Sequence, residues 1–270
     1  MTIDTSPAAQ GYGAGQRKGR AVRRASRPAG PGELRKALLF ADIDGGTLSR
    51  LSADVRIESL QDGDVLFRQG SGVAHLSFVL SGYVKLTRIA SSGRQTLIGI
   101  RSEGEMIGEA PIGADEIHTV SAESVGAARV LKLPAPRFAR LLKESPALYA
   151  AVMRDSKASI ARLVGEIEAL KSQNADQRLA HFILSLCPPG EDRCRFRLPY
   201  DKRLIAARLG VKQETLSRAF AKLRAHGVRT ETRNVQVESV THLADQCDRL
   251  GRRAGLAFGR SDAEKRHDAA

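Results

Sequence analysis

Residues 203–218 read Arg203-Leu-Ile-Ala-Ala-Arg-Leu-Gly-Val-Lys-Gln-Glu-Thr-Leu-Ser-Arg218. Two short helical stretches flank one glycine. Ala206 is small where two helices would touch, Gly210 follows four positions later to make the turn, and Leu216 is apolar where the second helix must lock onto the first. Val211, Ala219, Phe220 and Leu223 extend the apolar face at helical spacing. The pattern predicts a helix-turn-helix.

The second helix carries Glu214, Ser217 and Arg218 at i, i+3 and i+4, so they share one polar face near its N-terminal half. That part of such a motif enters a DNA major groove. There a carboxylate accepts from cytosine N4, a guanidinium donates to guanine O6 and N7, and a hydroxyl serves either role. A carboxylate facing a polyanion is unfavourable unless it accepts such a bond, which makes Glu214 more telling than the arginines. The competing reading of the pair is a solvated i, i+4 Glu–Arg ion pair. Lys202, Arg208, Lys212, Lys222 and Arg224 are expected to anchor phosphates, which position a protein without specifying sequence. Gln213 and Thr215 are further candidate DNA contacts.

Charge supports this reading locally. Residues 195–233 hold eleven Lys and Arg against three acids, Asp201, Glu214 and Glu231. Over the whole chain of 270 residues, 43 Lys and Arg stand against 30 Asp and Glu, a net +13 that favours a polyanionic partner. Beyond the second helix, Arg229-Thr230-Glu231 and Asn234 to Val237 alternate like a small β wing, and His242 to Arg249 reads as a final helix.

Working back toward the N-terminus, Asn174-Ala175-Asp176 breaks a long helical stretch, with Asp176 as N-cap of a helix carrying Leu179, Phe182, Ile183 and Leu186. The long helix starts at Ser145-Pro146 and carries Met153, Ile160, Leu163, Ile167 and Leu170. The last four alternate steps of three and four, the seam of a two-stranded coiled coil. The alternative is a stripe packed on the chain's own β domain, but the flanking Arg162, Glu166, Glu168 and Lys171 are too polar for full burial.

Before that helix, short apolar runs such as Val65–Phe67, Leu76–Leu80, Tyr83–Leu86, Thr96–Ile100 and Val130–Leu133 are punctuated by glycines, which predicts an all-β roll, barrel or sandwich. Ser81-Gly82 reads as a tight corner between two strands. Leu34, Leu38, Leu39, Phe40, Leu48 and Leu51 suit two short helices ahead of it. Residues 1–32 are rich in Gly, Ala, Ser, Pro and Arg and read as a disordered basic arm, either a solvated tail or one that grazes phosphates. The boundaries are 33–145 for the β domain, 146–174 for the long helix, 175–245 for the winged helix-turn-helix and 246–270 for a flexible tail.

Cys187, Cys194 and Cys247 are odd in number and form no C-x-x-C pair, which argues against a disulfide framework and a zinc site and fits a reducing compartment such as the cytoplasm. No apolar run approaches a membrane span and no signal peptide opens the chain. No nucleophile–base pair, metal spacing or P-loop supports an enzyme.

Across residues 33–245 the sequence resembles the Crp/Fnr family of bacterial regulators. The resemblance is carried by Gly63-Asp-Val-Leu-Phe-Arg-Gln-Gly70, His75-Leu-Ser-Phe-Val-Leu-Ser-Gly82, Gly104-Glu-Met-Ile-Gly-Glu109 and Gly210-Val-Lys-Gln-Glu-Thr-Leu-Ser-Arg218. It implies an α+β architecture: an N-terminal cyclic-nucleotide-binding-type β-roll, a long dimerisation helix and a C-terminal winged helix-turn-helix. It also implies double-stranded DNA, a second copy of the chain and RNA polymerase as partners. The effector pocket would involve Gly108, Glu109, His118 and Thr119. The cyclic-AMP receptors place arginine, followed by Ser or Thr, where this chain has His118 and Thr119, which argues against cyclic AMP. Fnr proteins carry a cysteine cluster in the sensor half, and this chain has no cysteine before Cys187, which argues against an iron–sulfur cluster. Glu-x-x-Ser-Arg resembles the Fnr, FixK and Dnr/NnrR branches, implying a TTGAT-type inverted repeat. Leu198 to Ala206 resembles the Dnr/NnrR regulators, which respond to nitric oxide, in some cases through haem. His75 and His118 are candidate haem ligands, against a packing or turn role for His75 and a strand-capping role for His118. His181 reads as structural. Cys187 and Cys194 read as structural residues or as a thiol sensor near the DNA-binding domain.

Overall fold

The computed structural model describes residues 25–108 and 116–252. The first half is one seven-stranded antiparallel sheet rolled on itself. Its strands are β1 (Ser26–Pro28), β2 (Arg56–Leu60), β3 (Val65–Phe67), β4 (His75–Ile89), β5 (Gln95–Arg101), β6 (Met106–Ile107) and β7 (Ser121–Pro134). The order is β1-β2-β7-β4-β5, with β3 on β7 and β6 on β4. β4 and β7 are covered on both faces: Phe78, Leu131 and Leu133 point into one core cluster, and Val79 and Val130, on the opposite face, into another. Short helices α1 (Pro31–Leu34) and α2 (Gly45–Ser52) close one end of the roll, with Leu34, Phe40, Leu48 and Leu51 buried in its core.

Two sequence expectations change here. The first is that residues 25–32 form a tail. Instead, Ser26–Pro28 pairs with Arg56–Glu58 and Ala29 donates to the Val55 carbonyl at 3.0 Å. The pairing covers an edge of the sheet, a reason for order that local composition does not encode. The rest of the expected arm, residues 1–24, lies outside the described residues. The second is the corner at Ser81-Gly82. β4 runs through it without turning. Its register against β7 shifts on both sides of Ser81, and Gly82 has φ +82°. A Cβ there would lie 2.5 Å from the Ala127 carbonyl oxygen. The glycine makes a bulge inside one long strand, where backbone approaches backbone too closely for a side chain.

α3 (Ala135–Glu144) returns along the roll and buries Phe138, Leu141 and Leu142. α4 (Pro146–Ser172) follows, with Pro146 in its first turn and the Ser145 side chain accepting from the Leu148 N–H at 3.2 Å. α4 buries Leu148, Ala151 and Val152 against the roll. Further along it, Ile160, Leu163, Val164, Ile167 and Leu170 are 41–63% exposed.

The C-terminal unit comprises α5 (Ala175–Leu184), β8 (Cys194–Arg197), α6 (Lys202–Arg208), α7 (Gln213–Leu223), β9 (Val228–Glu231), β10 (Asn234–Val237) and α8 (Val240–Arg252). The N-cap of α5 is Asn174, not Asp176. The Asn174 side chain accepts from the Asp176 and Gln177 N–H groups, and the Gln177 side chain returns to the Asn174 N–H. This reciprocal box satisfies more orphan donors than Asp176 could from inside the first turn. α8 runs into the expected tail, with Leu243 and Cys247 buried against the unit. Residues 253–270 lie outside the described residues. Cys187 and Cys194 are joined by a disulfide, with Cα atoms 5.8 Å apart. The expectation of no disulfide fails because the Pro188-Pro189-Gly190 loop folds the end of α5 back onto the start of β8.

Candidate nucleic-acid interface

The three predicted helix-turn-helix determinants sit where such a motif needs them. Ala206 and Leu216 are each 2% exposed, and Gly210 has φ +64°. The Asp201 side chain caps α6 by accepting from the Leu204 N–H at 2.7 Å. The turn closes through the Val211 N–H donating to the Ala206 carbonyl at 2.9 Å. α7 then buries Leu216, Ala219, Phe220 and Leu223, at i, i+3, i+4 and i+7, on the α5 side of the unit. A helix anchored on that stripe presents the opposite face to solvent. Glu214, Ser217 and Arg218 all lie on this outward face and are exposed, as are Lys212 and Gln213, while Thr215 is half-buried. Beside α7, β9 and β10 pair in register from Asn234↔Glu231 to Val237↔Val228, and β8 adds a third strand.

The expected row of phosphate anchors is uneven. Lys212 is exposed at the N-terminus of α7. Lys202 holds its ammonium 5.1 Å from the Phe220 ring centroid, and Lys222 pairs with Asp176 at 2.7 Å. Arg208 departs from the row. Its guanidinium donates to the Tyr200 hydroxyl and lies 5.4 Å from the Phe182 ring centroid, on the side of the unit facing the roll. Its position on α6 gave no sign of this, because the aromatic partners come from α5 and the β8–α6 loop.

In the roll, the residues named for an effector pocket are partly brought together. The His118 ring is 4% exposed and stacks on Phe67, centroids 3.6 Å apart and planes 6° from parallel. Gly108 lies beside them: a Cβ there would meet the Phe67 ring at 3.2 Å. Thr119 is exposed, and Glu109 lies outside the described residues. Phe67 is the residue that sequence reasoning missed; it sat in the apolar run Val65–Phe67, read only as a strand. His75 is at the exposed start of β4. His118 is thus buried with one ring face covered by Phe67, whereas His75 stands exposed at a strand end, so the two histidines have different surroundings. Among the described residues, no group of three or more His, Cys, Asp or Glu side chains is placed to hold a metal ion.

Two family models match the chain: the cyclic nucleotide-binding domain over residues 57–145 and the Crp-like helix-turn-helix domain over residues 177–246. The transcriptional activator protein Anr of Pseudomonas protegens is 30% identical over 167 residues, covering 60% of this chain and 68% of that protein. The chain belongs to the Crp/Fnr family of transcription regulators. The nitrogen fixation regulation protein FixK of Bradyrhizobium diazoefficiens is 25% identical to this Crp/Fnr regulator over 199 residues, 72% of this chain and 82% of FixK. A crystal structure of a candidate cyclic nucleotide binding protein from Ruegeria pomeroyi superposes with TM-score 0.60 at 32% identity, covering 81% of this chain and 96% of that one. The order of roll, long helix and helix-turn-helix is therefore the family architecture.

Proposed function

We propose that this Crp/Fnr regulator binds DNA sequence-specifically as a homodimer, reading a TTGAT-type inverted repeat with Glu214, Ser217 and Arg218. The observation that carries the reading is the exposed Glu–Ser–Arg face of α7, held outward by a fully buried opposite face. Gln213, Thr215, Lys202, Lys212 and Lys222 lie around it as contacts to backbone or flanking bases. The exposed apolar row Ile160, Leu163, Ile167 and Leu170, extended by Met153, is the surface a second copy would cover, setting two α7 helices about one helical turn apart on DNA.

The cellular role that fits is control of nitrogen-oxide, anaerobic-respiration or redox-response genes in the cytoplasm, with RNA polymerase as downstream partner. Anr and FixK, an activator and a nitrogen-fixation regulator by their names, support that direction. The Phe67–His118 stack, where the resemblance would need a phosphate-binding arginine, supports an effector other than a cyclic nucleotide. Among the described residues no helix is long and apolar enough to cross a membrane.

The test is fluorescence anisotropy on a labelled duplex carrying TTGAT and its inverted partner, against a scrambled duplex of equal length. A preference of about a thousandfold at physiological salt is expected. Equal affinity for both duplexes, with the same salt slope, refutes base readout.

A further inference from the structure

A cavity of about 660 Å³ opens between β5 of the roll, the C-terminal part of α4, and α5 and α6 of the DNA-binding unit. Its size is in the range that holds small organic ligands. Neither Gly108, His118 nor Thr119 lines it, so it is separate from the pocket that the family resemblance points to. Its apolar wall is built around aromatic rings. Tyr83 from β4 meets Tyr200 edge-on at 5.6 Å, Phe182 lies 6.2 Å from Tyr200, and Leu97 completes the sheet side.

The charged groups on the wall are unequally partnered. Arg162 is within 3.4 Å of Glu166, and Arg208 donates to the Tyr200 hydroxyl. Glu105 accepts from the Ser102 N–H at 2.7 Å and from its hydroxyl at 2.9 Å. Arg178 has only a neutral partner: Nη1 donates to the Gln173 carbonyl at 2.6 Å, while Nε is buried without an acceptor. Burial pushes its guanidinium below the ordinary arginine value. The two carboxylates on the wall are engaged elsewhere, Glu166 with Arg162 and Glu105 with Ser102, so a partly buried guanidinium with one neutral partner gains from an anion that completes it.

We propose that this cavity is a ligand site for a small molecule with an aromatic or aliphatic body and a single carboxylate, the carboxylate bound by Arg178. The apolar body packs against Tyr83, Leu97, Phe182 and Tyr200. Because the walls come from both the roll and the DNA-binding unit, the ligand favours this docked arrangement of the two and shifts DNA affinity by its preference for it. Only this last consequence rests on the DNA-binding reading; ligand binding does not.

The test is isothermal titration of the full chain, without DNA, with 2-naphthoate, decanoate and the neutral 2-naphthamide. At least one carboxylate is expected to bind with a Kd of about 0.1 mM, a normal efficiency for a ligand of this size, and naphthamide about tenfold more weakly than naphthoate. R178Q is expected to weaken carboxylate binding about tenfold and leave the amide unchanged, with R178K recovering part of the loss. A169F, which fills the cavity from α4, is expected to abolish binding of all three. No heat with either carboxylate up to about 5 mM, an affinity too weak for a built pocket, overturns the proposal. So does equal binding of naphthoate and naphthamide to the unmodified protein, or naphthoate binding by R178Q or A169F as tight as by the unmodified protein. Anisotropy on the inverted-repeat duplex separates the two readings. Lost ligand binding with intact DNA binding refutes the cavity alone, and intact ligand binding with no DNA preference refutes the DNA-binding reading alone.

Discussion

Helices α4 and α7 carry similar apolar stripes and meet different fates. In α7 every stripe residue is buried, Ala219 completely and Leu216 to 2% exposure. In α4 the early stripe is covered by the roll, but Ile160, Val164, Ile167 and Leu170 stay more than half exposed. A stripe in a sequence states that apolar surface needs covering; it does not state what covers it. For α7 the cover is α5, which packs on it within the same unit. For α4 only the end of the stripe meets the DNA-binding unit, at Leu170 beside Gly210, and the row stays largely exposed; a contiguous row of exposed apolar side chains on a regular helix marks an interaction surface. The same contrast separates the polar faces. Glu214, Ser217 and Arg218 lie over a rigidly packed helix, which suits geometric readout of a groove, whereas Arg162 and Glu166 on α4 pair with each other at i, i+4.

The sharpest way to break this comparison is to make the α4 stripe polar. Ile160→Glu combined with Ile167→Glu is expected to give a folded monomer by analytical ultracentrifugation and to weaken binding to the inverted repeat by about a hundredfold or more, since the second half-site then gains nothing from the first. A monomer already present in the unmodified protein at micromolar concentration, with the site still bound, would end the seam reading. Next in size, Leu216→Ala is expected to destabilise the DNA-binding unit by about 2–5 kcal/mol in urea unfolding, while Leu163→Ala on the exposed stripe changes the monomer's stability by less than about 0.5 kcal/mol. Smaller again, Arg218→Ala is expected to cost about 1–3 kcal/mol on the inverted repeat and to relax one base position. Lys212→Ala weakens all duplexes alike and lowers the salt slope by about one. An equal loss for Arg218→Ala on random DNA contradicts base readout.

The smallest expected effect lies on the inner side of α4. Burial raises the Asp155 carboxyl above its ordinary value of 3.8, partly opposed by Arg101 and Arg162. Below pH 3.8 the carboxyl is protonated folded and unfolded, so it carries no penalty there. As pH climbs past 3.8 the unfolded chain ionises first, and the folded state loses stability until it ionises too. Asp155→Asn is therefore expected to be more stable than the unmodified protein in neutral buffer, with the gain vanishing in acid. Parallel melting curves across pH 3–8 check this, and a gain that persists in acid contradicts it.

Much of the fold was legible because local pattern and tertiary packing agree. Ala206, Gly210 and Leu216 read as a helix-turn-helix and pack as one, since the contacts that close its turn lie between near neighbours in sequence. The β-roll was legible as strands but not as a sheet. Gly82 looked like a corner because a glycine flanked by apolar runs is compatible with either a turn or a bulge, and the neighbour that decides, Ala127, is distant in sequence. Ser26–Pro28 looked like tail because strand pairing with Arg56–Glu58 leaves no trace in its own composition. Within the candidate interface, the outward set Glu214, Ser217 and Arg218 followed from helical spacing alone. The inward turn of Arg208 did not, because Tyr200 and Phe182 reach it from other elements.

By itself the amino-acid order determined the long helices and most of the strands, which face of α7 is polar, and that α4 carries a stripe in want of a partner. These follow from side-chain period and from charge, which are properties of neighbours along the chain. Only the three-dimensional arrangement decided that Phe67 lies on His118, that Cys187 meets Cys194, and that Arg178 faces an aromatic cavity between the roll and the DNA-binding unit. Each of those depends on which distant surfaces meet when apolar area leaves water, a choice made by the whole chain at once.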